Sequence, residues 1–124
     1  MVVVTSGTTA ETLASRLAVP RGRIAVAPPG LDPAPPAARR GDPPLILGVG
    51  TLSRRKGWDV LAEALAEARD LPWRAEIVGA ADREPSAAEA LRERLAALGL
   101  ADRVALAGAV DRAALDARYA GADL

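Results

Sequence analysis

Short β-branched or apolar runs alternate with helical stretches along almost the whole chain, and the connections between them are too long for hairpins. Strands joined that way run parallel with right-handed crossovers, so the pattern predicts an α/β fold, a Rossmann-like parallel sheet with flanking helices. Val2–Val4 reads as the first strand. Thr8 and Glu11 then stand at capping-box spacing, and Ala10, Leu13, Ala14 and Leu17 fall on one helical face that Pro20 closes. Residues 23–27 read as a second strand. Leu45–Val49 is a continuous apolar run of the kind expected for a strand buried on both faces. A loop from Gly50 to Gly57 leads into a helix with Val60, Leu61, Ala64, Leu65 and Ala68 as its apolar stripe. Residues 73–78 form the next strand. Pro85 suits a first helical turn, Leu91, Leu95 and Leu98 line one face, and Gly99 with Leu100 fits a C-terminal cap. Residues 103–107 are a further strand, Asp111 is the N-cap for a helix over 112–119 that Gly121 stops, and residues 122–124 read as a strand beginning.

The segment 33–44 breaks this alternation. Five of its twelve residues are proline and it has no apolar period, so it reads as a linker. The chain thus divides into a βαβ piece over residues 1–32 and the first half of a doubly wound unit over 45–124. Leu, Val and Ile are expected to supply most of a thin core, since Phe is absent.

Composition narrows the chemistry. Sixteen basic side chains offset sixteen acidic ones, so there is no broad basic field for nucleic acid or anionic lipid, and any anion site must be local. The chain has neither Cys nor His, which excludes disulfides, thiolate chemistry and every Ser-His-Asp or Cys-His mechanism within these residues. No window carries the ~18 apolar residues of a membrane span, and no basic start precedes an apolar run, so the default location is cytoplasmic.

The segment Gly48-Val49-Gly50-Thr51-Leu52-Ser53-Arg54-Arg55-Lys56-Gly57 sits between the most apolar strand and a helix. That is the carboxyl edge of a parallel sheet, where ligands collect and a helix offers unpaired N–H groups. Three consecutive cations there suit a dianion such as a diphosphate, with Gly50 permitting close backbone approach and Arg55 or Lys56 neutralising a leaving group. A P-loop needs Gly-Lys-Ser/Thr, whereas Lys56 precedes Gly57 here. A dinucleotide fingerprint fails at Ser53. No Asp-x-Asp pair or other carboxylate cluster offers to hold magnesium. Taken alone, the basic triplet also fits a solvated charge run, and Gly79 and Gly108 after their apolar runs also fit simple turns. Together, the glycines at three strand ends outline a crevice.

The ordered set Thr5-Ser6, Val19-Pro20 with Arg23-Ile24, Pro28-Pro29-Gly30-Leu31-Asp32, Val49-Gly50-Thr51-Leu52 with Arg55-Lys56-Gly57, Ile77-Val78-Gly79, Val104 to Gly108 and Ala122-Asp123-Leu124 resembles family 4 glycosyltransferases, the glycosyl transferases group 1 of GT-B fold. The resemblance covers nearly the whole chain. It implies that residues 1–32 end an acceptor-type domain, that 33–44 link two domains, and that 45–124 begin the nucleotide-sugar donor domain. On this resemblance Gly50, Thr51, Arg55 and Lys56 bind donor phosphates, and Gly79, Gly108 and Val110 lie near the nucleotide. Many relatives carry Arg where this chain has Thr51, and Arg54 or Arg55 would compensate. No residue here matches the family's glutamate pair or its acceptor-side catalytic region, so the chain is expected to be a fragment, inactive by itself. The resemblance implies sugar transfer from a nucleotide-diphosphate donor to an unknown acceptor, with retention. It implies no metal or other cofactor, no nucleic-acid partner, and room for peripheral membrane association of the full-length enzyme. A non-enzymatic diphosphate-binding module and a non-functional truncated product are the competing readings.

Overall fold

The computed structural model describes residues 1–30, 36–38 and 41–124, which fall in two compact units, Met1–Ala34 and Pro35–Leu124. In the first unit β1 (Val2–Val4) pairs in parallel with β2 (Ile24–Val26), joined through α1 (Gly7–Arg16). The N-cap is Ser6, whose hydroxyl accepts from Thr9 N at 3.1 Å, not Thr8; Glu11 instead pairs with Arg21. The helix also ends earlier than Pro20 requires. Leu17 is its C-cap and Ala18 follows in the left-handed region at φ 51°. Leu17 is exposed, so the predicted apolar face covers only Ala10, Leu13 and Ala14, each half-buried.

In the second unit β3 (Leu45–Val49), β4 (Arg74–Val78) and β5 (Val104–Gly108) form a parallel sheet in that order. Between them run α2 (Trp58–Glu67) and α3 (Pro85–Ala97), and α4 (Arg112–Gly121) follows β5. The core joins Ala62, Leu65 and Ala66 of α2 and Ala88, Leu91 and Leu95 of α3 to Ala75 and Ile77 of β4, with Leu52, Trp73, Leu100 and Val104. Four of these are alanines and one is a tryptophan, so the core is filled by close approach of helices around one large indole as well as by the expected aliphatics. The stripe of α2 is shifted from its predicted phase: Val60 and Ala64 face solvent while Ala62 and Ala66 are buried. Alternation along β4 sends Glu76 to the opposite face, where Arg118 of α4 meets its carboxylate at 2.9 Å.

β3 is only half-buried and Val49 is 40% exposed, contrary to burial on both faces. The cause is its place in the sheet. One edge pairs with β4, and the other carries residues 123–124, where Leu124 N donates to Leu45 O at 3.3 Å and Leu47 N to Leu124 O at 2.9 Å. That pattern is parallel, so the strand predicted to begin at Ala122 lies beside β3. The chain steps outward from β3 through β4 to β5 and then returns to the far side of β3. Such a reversal opens a crevice at the carboxyl ends of the two strands flanking it.

Leu31 and Asp32, at the end of the expected first piece, and residues 33–35 and 39–40 of the expected linker lie outside the described residues. Its remainder is fastened to the second unit. Ala38 N donates to Ala120 O at 3.0 Å, and Asp123 accepts from Gly41 N at 3.1 Å and Leu45 N at 2.8 Å. Asp111 caps α4 through Ala114 N at 2.8 Å, and Gly99 at φ 68° ends α3 with Leu100 N donating to Leu95 O, as the sequence predicts. α4 continues through Gly121, which does not stop it.

At the amino edge of the sheet, Arg103 sits 3.7 Å from the Trp73 ring centroid and donates to the carbonyls of Arg69, Leu71 and Trp73 at 2.7, 2.6 and 3.0 Å. It closes the turn between α2 and β4, whose carbonyls have no helical partner. Arg103→Ala is expected to destabilise the unit by about 2 kcal/mol in urea denaturation. Arg103→Lys should recover little of this, because a point charge cannot span three acceptors.

Candidate phosphate-binding site

The loop after β3 is held by the backbone of β4's extension. Gly50 N donates to Val78 O and Leu52 N to Ala80 O, both at 2.9 Å, and the fully buried Leu52 side chain anchors the loop in the core. Within the predicted loop, Arg54–Lys56 form a turn of 3-10 helix, and Gly57 at φ 67° swings the chain from that turn into α2. No side chain caps the start of α2, so its first N–H groups face the crevice end of the sheet without a capping partner.

Three glycines meet here. A Cβ on Gly79 would lie 1.9 Å from Gly50 O, so the loops after β3 and β4 touch backbone to backbone. Gly79 N in turn donates to Gly108 O at 2.8 Å. Gly108 ends β5 at φ 72°, after an extra residue, Ala107, slips the register against β4. Val110 is half-buried in the connection to Asp111 and takes no part in the hydrogen bonds tying the glycines together.

The basic triplet divides. Lys56 runs back over Gly50: a Cβ built on that glycine would stand 3.6 Å from Lys56 Cε. Arg54 is committed elsewhere, its backbone N donating to Glu84 Oε2 at 3.2 Å and its Nε lying 3.5 Å from Glu84 Oε1. Arg54 thus leans toward Glu84, with its side chain largely exposed. Arg55 and Lys56 make no ion pair among the described residues. Arg55 lines an open cleft of about 380 Å³ with Thr51, Ser53, Arg54, Arg83 and Glu84.

Sequence reading missed Trp58, Arg83 and Glu84. The Trp58 ring covers Gly48 and Gly50, and its Nε1 donates to Thr51 O at 2.9 Å, so the indole fixes the loop from above. A tryptophan at the first helical position after a glycine loop was the available signal. Among the described residues no three His, Cys, Asp or Glu side chains gather as a metal site, and no helix is long and apolar enough to cross a membrane.

The model of the family described as glycosyl transferases group 1 matches residues 34–124. The chain belongs to that family. No curated protein matches it in sequence. Among solved structures, a glycosyltransferase from Rickettsia africae superposes with a TM-score of 0.81 at 21% identity, over 96% of this chain and 35% of that one. A sucrose-phosphate synthase from Thermosynechococcus elongatus gives 0.73 at 28% identity, over 97% and 32%. The lipopolysaccharide outer core galactosyltransferase WaaB gives 0.66 at 22% identity, over 94% and 32%. The chain therefore spans about a third of the length of these structures, and its parallel sheets with flanking helices are part of the GT-B glycosyltransferase fold.

Proposed function

We propose that the second unit is the part of a family 4 glycosyltransferase that grips the diphosphate of a nucleotide-sugar donor, with Gly50, Thr51 and Lys56 at the phosphates and Arg55 at their rim. The observation that carries this reading is the Lys56 stem lying along Gly50, at the carboxyl edge where the sheet order reverses. A glycine whose backbone is open to close approach and an ammonium without an ion-pair partner suit an anion that gains charge as the sugar departs. Gly79, Gly108 and Val110 border the nucleotide in this reading. Residues 1–32 then belong to an acceptor-type domain and 45–124 to the donor domain.

In the reaction, sugar passes from the diphosphate to an acceptor with retention, and side-chain cations neutralise the leaving group in place of a metal. These 124 residues bind donor product without turnover, because transfer needs a second substrate oriented against the first.

Calorimetry with uridine, guanosine and adenosine diphosphates tests the site. One of them is expected to bind the chain without added metal, and Lys56→Ala to weaken that binding by about 2 kcal/mol, roughly thirtyfold. Arg92→Ala, which removes only an exposed pair with Glu89, serves as the control. Equal affinity of Lys56→Ala and wild type would move the site away from this loop.

A further inference from the structure

The cleft beside the donor loop has its own charge. Its walls come from two loops, Thr51 to Arg55 after β3 and Arg83 with Glu84 before α3, and its lining residues include three arginines and one glutamate. Glu84 occupies the N-cap position of α3, but its side chain makes no cap bond to that helix; its carboxylate reaches the Arg54 backbone and side chain instead. Arg54 is thereby neutralised. Arg55 and Arg83 are left without an ion-pair partner among the described residues, although they line the same cleft. Both residues are exposed, and an anion held in the cleft would be attracted by both charges.

We propose that this cleft is a second anion site, adjoining the diphosphate site and sharing its Thr51–Arg55 wall, and that it binds the phosphate of a phosphate monoester through Arg83 together with Arg55. Guanidinium forks match phosphate oxygens in pairs, and the Thr51 and Ser53 hydroxyls at the same wall are further donors. The occupant is a single small group. A polyanion such as nucleic acid needs a broad basic field, which a chain of zero net charge does not supply. A space of about 380 Å³ admits the molecule carrying the phosphate as well as the phosphate itself. The substrate set of the enzyme would then include a phosphorylated small molecule besides the donor.

The inference does not depend on the diphosphate reading, and its key residue, Arg83, lies outside that site. Nitrogen-15 NMR titrations of the whole chain with inorganic phosphate and with glucose 6-phosphate test it, in wild type, Lys56→Ala and Arg83→Ala. Saturable shifts are expected at the amides of Ser53, Arg54, Arg55, Arg83 and Glu84, with the same Kd in wild type and Lys56→Ala. Arg83→Ala, on an exposed loop, should weaken binding about tenfold. Tighter binding of the sugar phosphate than of inorganic phosphate assigns the site to a phosphorylated molecule, and the reverse order assigns it to the free anion; both support the site. Absence of saturation, unchanged affinity in Arg83→Ala, or loss of binding in Lys56→Ala would overturn it. A nucleoside diphosphate weakened by Lys56→Ala but not by Arg83→Ala would show that the two sites are separate, whatever their occupants.

Discussion

Gly79→Ala is expected to destabilise the second unit by at least about 3 kcal/mol, the largest effect of any single methyl added to this chain. The added carbon would stand 1.9 Å from Gly50 O, 2.5 Å from Gly50 C and 3.1 Å from Thr51 N. Every one of these is a backbone atom, so no side chain can rotate away, and relief requires the loops after β3 and β4 to separate. Separation breaks the bonds from Gly50 N to Val78 O and from Leu52 N to Ala80 O, and draws the buried Leu52 out of the core. Both tryptophans lie in the second unit, so their fluorescence in a urea titration reports on that unit alone. Gly121→Ala is the matched control, because its Cβ meets nothing within 4 Å and lies in the last turn of a helix. It should stay within about 0.5 kcal/mol of wild type. A Gly79→Ala midpoint equal to that of the control would show that the loops yield without cost.

The same contact marks how far the sequence could be read. Glycine after an apolar run is legible as a strand end, and three of them as an edge; the touching of two loops 29 residues apart is not, because it depends on register between strands. Order and type of the elements in the second unit were legible because each apolar run is short and each helix carries local signals, Pro85 and Gly99 on α3 and Asp111 on α4. Phase was less so. Val60 draws attention by hydropathy, yet α2 turns the small Ala62 and Ala66 inward, where helix and sheet approach closely. The partial exposure of β3 is not legible for a related reason. Continuous apolarity reports what can be buried, not what covers the strand, and here one neighbour is only residues 123–124.

Among the candidate site residues, the short-range relation was accessible and the long-range one was not. Lys56 and Gly50 are six residues apart on one loop, and their contact follows from the turn between them. The contact of Arg54 with Glu84 spans 30 residues and distinguishes Arg54 from the other two cations of the triplet. Nothing in the spelling of the triplet separates its members. What separates them is a carboxylate on another loop, through a pair whose own stability contribution is small at an exposed site.

Trp58→Ala should then be the second large effect, about 3 kcal/mol, and the one that links stability to binding. The indole fills the space above two glycines, with Cζ3 at 2.8 Å from a Cβ built on Gly48 and Cζ2 at 3.2 Å from one on Gly50. Those glycines are needed for the ring to lie flat on the strand end, and the ring in turn keeps the loop from lifting. Removing it leaves Gly50 and Thr51 free to explore other conformations, which a bound diphosphate would have to reverse. Diphosphate affinity is therefore expected to fall about tenfold along with stability. Trp58→Phe separates the two contributions. It keeps most of the packing but loses the bond from Nε1 to Thr51 O, and the half-buried carbonyl can turn to water, so the cost should be near 1 kcal/mol with affinity little changed. Should Trp58→Ala lose stability while binding diphosphate like wild type, the loop would owe its shape to the Gly50–Val78 and Leu52–Ala80 bonds alone. The indole would then act only as packing.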